Sequence, residues 1–228
     1  LGVTRQIMKS LTIQSRSYFS IEYLEGAKLL ADEAKCIEDE FNGQYWYDKR
    51  HKATVHSSIL MASAFLESLI NELFTDAADN HQRKGAIIST QESKILGEMW
   101  KLGVPRTAKY TILDKYRICL TLLQRPPLDL STQPQQHIRL LIKLRNALTH
   151  FEPSTVEADA TLESGIKGHE LDSLRGLFPE NRLMAPGNAF FPDKCLGAGC
   201  AAWAVNVTVG FAEEFKRRLS SPPIPHEV

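Results

Sequence analysis

The sequence predicts an all-α fold, a bundle of helices, and three observations carry the prediction. Apolar residues recur at three- and four-residue steps through six separate segments. Capping residues open some of these segments, and proline closes others. Nowhere does the chain show the alternating runs and hairpin turns that would supply a sheet. With 228 residues, 43% of them hydrophobic and 24% charged, the chain is long enough to bury a core within one domain. Residues 1–228 are therefore read as a single helical domain.

The first helix is expected over 18–40, where Ile21, Leu24, Ala27, Leu30, Ala31 and Ala34 share a face. A second, over 52–77, carries Val55, Ile59, Ala62, Phe65, Leu66, Leu69, Ile70, Leu73 and Phe74 through seven turns, which marks it as central. "TQES" has the spacing of a capping box and opens a third helix over 90–102; a fourth, over 107–123, is stopped by "RPP". The fifth covers 135–151 and ends before Pro153, because the residue preceding a proline disfavours the α conformation. The last, over 200–219, finishes in "KRRL", positive charge at the negative end of the helix. The core thus spans about 52–219, interrupted over 153–195 by an insertion rich in Gly, Pro, Asp and Asn. Within it "GHELDSLRGLF" is read as a short helix, and the insertion as either a lid or a passive surface loop.

Composition excludes several function classes. Lys+Arg and Asp+Glu are both 27, so no global basic field draws nucleic acid or an anionic membrane, and any such signal is local. The longest apolar run, around 201–207, is too short to span a bilayer, and the N-terminal stretch lacks the apolar core of a signal peptide. The chain reads as cytoplasmic. Four cysteines do not make a disulfide framework, and Cys195 and Cys200 lack the spacing and the companions of a zinc site. No metal or cofactor is expected, and without a phosphate-cradling glycine loop neither is a nucleoside triphosphatase.

The informative stretch is "LRNALTHFEP", residues 144–153. At roughly 100° per residue, Leu140, Leu141, Leu144, Ala147, Leu148 and Phe151 fall in an arc of ~120° expected to enter the core. Arg139, Lys143, Asn146 and His150 gather within ~60° on the far side. Ile138, Ile142, Arg145 and Thr149 form a third stripe, too apolar for a solvated face and too charged for a core, since an unpaired buried guanidinium is very costly. A second chain, or an anionic ligand, is expected to cover it. No acidic residue lies between Asp129 and Glu152, while Arg139, Lys143 and Arg145 are cationic and His137 and His150 can become so. Such a cluster attracts phosphate. The helix macrodipole also favours cations there, independently of any ligand.

"RNALTH" resembles the R-x4-6-H signature of HEPN domains, with Arg145 first, the polar Asn146 next and His150 after four intervening residues. "FLESLINEL" in the long helix and "CLGAGCAAWAV" at the closing one are similar to HEPN proteins as well, so the resemblance covers about 52–219. It implies a small helical bundle that dimerises with two motifs face to face and, in many members, a metal-independent endoribonuclease. In that chemistry the RNA 2′-hydroxyl is the nucleophile. The protein supplies proton transfer and positive charge on the phosphorane-like transition state. His150 would serve as acid or base, Arg145 would clamp the phosphate, Asn146 would orient His150 or the scissile group, and Arg139 and Lys143 would hold neighbouring phosphates. Two copies would supply both proton-transfer roles. Glu67 and Asn71, one turn apart, either face the motif helix as supporting residues or form the solvent side of their own helix, with Ser63 on the same line. The expected partners are RNA, a tRNA or single-stranded loop by preference; a second copy of the chain; and an antitoxin or nucleotidyltransferase if the protein is a toxin or defence effector. The alternative is a non-catalytic HEPN module that binds nucleotides or protein.

Overall fold

The longest apolar stripe becomes the spine of the bundle. In the computed structural model, which describes residues 15–81, 87–129, 131–151 and 171–224, that stripe is the helix Lys49–Ala78. Five more α-helices accompany it among the described residues, with no strand, so the fold is all-α. In chain order they are α1 (Ser20–Asp39), α2 (Lys49–Ala78), α3 (Thr90–Lys101), α4 (Ile112–Leu122), α5 (Gln135–Thr149) and α6 (Ala198–Leu219). Asp48 starts α2 by accepting the His51 amide at 2.8 Å, satisfying one of the donors that a helix start leaves open. Val55, Ile59, Ala62, Leu66, Ile70 and Phe74 are wholly buried, and α1, α3 and α6 pack around them. By length and composition alone α2 is apolar enough to cross a membrane, and half of its most apolar window is buried within the bundle.

Small residues set the closest approaches. Ala27, Ala31 and Ala34 line the buried side of α1, so α2 comes near enough for the Ser58 hydroxyl to donate to the Ala27 carbonyl at 2.7 Å. At the α2–α3 contact the small residue is Gly97, where a Cβ would stand 2.6 Å from the Ala77 carbonyl oxygen, against rigid backbone. Gly97→Ala is therefore expected to push the helices apart and destabilise the fold by about 1–3 kcal/mol, despite alanine's higher helix propensity. Urea denaturation checks this; an unchanged or raised midpoint would show that the helices yield without cost.

The cap of α3 and the start of α4 differ from the sequence reading. The capping box of α3 uses Ser89, one residue earlier than "TQES": its amide donates to Glu92 at 2.7 Å and its hydroxyl accepts the Glu92 amide at 3.3 Å. The fourth helix begins at Ile112, not near 107, because Thr111 and Asp114 form a second capping box after a turn that starts at Gly103, φ +89°.

The insertion is corrected in its described half. Leu171, Leu174, Leu183, Phe190 and Phe191 are buried, so 171–195 is a piece of the core and not a lid or a loose surface loop. Asn181 anchors it: its amide nitrogen donates to the Asp193 and Leu196 carbonyls at 3.2 and 3.1 Å, and its side-chain oxygen accepts from the Leu183 amide at 3.0 Å. Of the short helix expected within "GHELDSLRGLF", the described residues hold a 3-10 turn, Asp172–Leu174, and Gly176 at φ +77° turns the chain away. Residues 152–170, the rest of the insertion, lie outside the described residues.

One buried carboxylate joins three helices. Glu38, near the end of α1, is 4% exposed; its Oε1 lies 2.9 Å from His51 Nε2 on α2 and accepts the Ala198 amide of α6 at 2.7 Å. The negative group therefore sits at the positive end of the α6 dipole. Gly197 makes room for it, since a Cβ there would come 2.8 Å from Glu38 Oε1.

Candidate functional site

The motif helix α5 runs from Gln135 to Thr149, two residues shorter than expected, with His150 as its C-cap. The His150 amide still donates to the Asn146 carbonyl at 2.8 Å, and the Thr149 hydroxyl folds back onto the Arg145 carbonyl at 3.0 Å. Ile138, Leu141 and Leu144 are fully buried, while Leu140, Ile142, Ala147 and Leu148 pack at the edges of the core. Phe151, expected to enter the core, is instead 56% exposed, because the helix has ended before it.

That burial pattern corrects the third stripe. Ile138 belongs to the interior of its own bundle and Ile142 is partly buried against the same core, so Ile138 is not exposed to a partner as the stripe required. On the helical wheel Arg145 falls within ~40° of both Ile138 and Leu141, inside the arc that faces the bundle. The conflict is resolved from within the chain. Glu67 of α2 brings Oε2 to 3.6 Å from Arg145 Nη2.

Glu67 is itself held. Its Oε1 accepts from Lys115 Nζ at 3.0 Å, and Asn71 Oδ1 accepts from the same ammonium at 3.0 Å. The Lys115 side chain is only 6% exposed, against 42% for Glu67 and 27% for Arg145. The structure thus brings Glu67 to the motif but turns Asn71 to Lys115, while Ser63 bonds the Ile59 carbonyl within its own helix at 3.1 Å. Sequence reading missed Lys115. The signal was present: it falls among Ile112, Tyr116 and Cys119 on the buried face of α4, where an unpaired cation would be costly.

Arg139, Lys143, Asn146 and His150 lie exposed along the outer line of α5, as the wheel places them. None of these four side chains has an ion pair or hydrogen bond to another described residue. His137 stands apart from the cluster: it packs edge-on to Trp203, ring centroids 5.9 Å apart, and burial holds its pKa below the ordinary histidine value, which favours the neutral ring. Cys195 and Cys200 are buried, and burial with a hydrogen bond to Cys195 raises the Cys200 pKa, which makes it a protonated packing thiol. A cavity of about 450 Å³ opens between α1, α2 and α6, lined by Leu24, Phe65, Leu69, Leu73 and Phe215. None of the motif residues lines it, and its walls suit apolar groups, not phosphate.

Chemically, α5 offers an exposed row of two cations, an amide and an imidazole whose side chains have no partner among the described residues, and, on its bundle-facing flank, a guanidinium loosely tied to Glu67. Those are the groups that bind a phosphodiester and move protons near it. No family model, curated protein or solved structure matches this chain.

Proposed function

We propose that the chain is a metal-independent endoribonuclease of the HEPN type, acting on single-stranded RNA loops such as those of tRNA. The observation that carries this reading is the row Arg139, Lys143, Asn146 and His150, exposed and unpaired among the described residues, with Arg145 on the α2-facing flank of the same helix. Long charged side chains left without partners along one line suit a ligand of opposite charge. In the mechanism Arg145 holds the scissile phosphate, His150 moves a proton to or from the reacting oxygens, and Asn146 orients His150 or the phosphate. A second copy supplies the second histidine. Because Ile138 is buried, the copies meet through the polar line and the exposed Phe151, not through the isoleucine stripe. An antitoxin or nucleotidyltransferase that covers this line would silence the enzyme.

The test is cleavage of a labelled RNA hairpin by the purified protein in EDTA. Products ending in 2′,3′-cyclic phosphate are expected, because attack by the 2′-hydroxyl makes that end and attack by an activated water does not. The Glu67 contact on Arg145 supports a second reading, a non-catalytic module in which Arg145 is partly structural. Binding of RNA or a nucleotide with every loop left uncut, in EDTA and in Mg²⁺, decides for it.

In this reading Arg139 and Lys143 contact phosphates and not bases. Arg139→Ala and Lys143→Ala are each expected to weaken binding equally across RNA sequences and to lower the salt dependence of log Kd by about 1. An unchanged salt slope in both variants removes them from the interface.

A further inference from the structure

We propose that Lys115 is a positioning residue for Arg145, acting through Glu67, and that it keeps the arginine exchangeable between that carboxylate and a bound phosphate. The inference rests on reading Arg145 as the phosphate-holding group. Glu67 faces two cations unequally: Lys115 Nζ stands at hydrogen-bond distance, 3.0 Å, whereas Arg145 Nη2 stands at 3.6 Å, within ion-pair range but beyond a hydrogen bond. Asn71 fixes the ammonium from the other side at 3.0 Å. Two cations share one carboxylate, so the group holds one positive charge in excess while every charged side chain has a neighbour.

This geometry makes the exchange cheap. When Arg145 turns toward a phosphodiester, Glu67 remains compensated by Lys115, and no partly buried carboxylate is stranded. Remove the Lys115 charge and Arg145 becomes the only cation left on Glu67 among the described residues. The carboxylate then draws the arginine in, away from solvent. The more buried cation of the pair, 6% exposed against 27%, thereby sets how available the other one is.

The test uses the full chain carrying Lys115→Met, Glu67→Gln, or both. The first readout is the rate at which phenylglyoxal modifies Arg145, followed by mass spectrometry. The second is anisotropy of a labelled 2′-O-methyl RNA hairpin, which binds without being cut. Lys115→Met is expected to slow modification about threefold and to weaken hairpin binding about tenfold. Glu67→Gln in the same chain should restore both, because the captor is gone. A modification rate unchanged in Lys115→Met, or a loss that the double variant does not restore, makes Lys115 a packing residue and overturns the proposal. If Lys115→Met does not fold, Lys115→Gln, which removes the charge but keeps a donor for Glu67 and Asn71, takes its place: slower Arg145 modification that Glu67→Gln restores supports the proposal, and an unchanged rate defeats it. Should the modification rates follow expectation while no variant binds the hairpin, the positioning role stands and the nuclease reading falls.

Discussion

His150→Ala is expected to abolish cleavage of RNA loops in EDTA and to leave the fold standing. General acid–base catalysis supplies a factor of about 10² to 10⁴ for each proton-transfer role. With one histidine per motif, a dimeric site loses both roles at once. The fold survives because His150 bonds to the described residues through its backbone amide alone, to the Asn146 carbonyl at 2.8 Å, and its side chain is exposed. Arg145→Ala should be comparably damaging to the rate. Its effect on stability should stay below about 1 kcal/mol, the scale of a partly exposed ion pair, since Lys115 continues to compensate Glu67. Gel assays on a 5′-labelled hairpin, paired with thermal melts of each variant, separate the two effects. Cleavage that persists in His150→Ala within threefold of the unmodified chain, roughly, sinks the catalytic assignment.

Glu38→Ala is expected to cost about 3–5 kcal/mol, the penalty for breaking a buried pair by removing one partner. Three losses coincide. His51, 2% exposed, keeps a buried ring nitrogen without its acceptor; the Ala198 amide at the start of α6 loses its 2.7 Å bond; and a cavity opens where α1, α2 and α6 meet. Domains of this size are stable by roughly 5–15 kcal/mol, so the variant should stand near the threshold of unfolding. Glu38→Gln keeps an acceptor for Ala198 and should lose less, about 1–3 kcal/mol. Chemical denaturation measures both. A loss under about 1 kcal/mol in Glu38→Ala would mean that water replaces the carboxylate and that the joint is not a strong one.

The two variants probe features of different legibility in the sequence. His150 is legible from the amino-acid order, because its line on the motif helix depends only on the 3.6-residue period. Arg139, Lys143, Asn146 and His150 fall on the exposed side for that reason alone. The same period determined the central helix: Val55, Ile59, Leu66 and Phe74 are buried where the stripe predicts. The caps that are local in sequence, such as Ser89 with Glu92, were legible to within a residue. What the sequence alone determined is therefore the all-α class, the helices and the polar face of α5.

Glu38 gave no comparable signal, since its partners His51 and Ala198 lie 13 and 160 residues away. The described half of the insertion was misread for a related reason: Leu171, Leu183 and Phe190 follow no helical or strand period, yet each fills the core. On α5 the periodicity defined a stripe but not its neighbour. Whether Ile138 and Arg145 packed against their own bundle depended on α2 and α4 arriving with Glu67 and Lys115, 78 and 30 residues before Arg145 in the chain. Only the tertiary structure decided that. Local geometry selects which face of a helix turns inward, but the charge that compensates a buried cation is chosen by packing between segments whose order in the chain does not encode their contact.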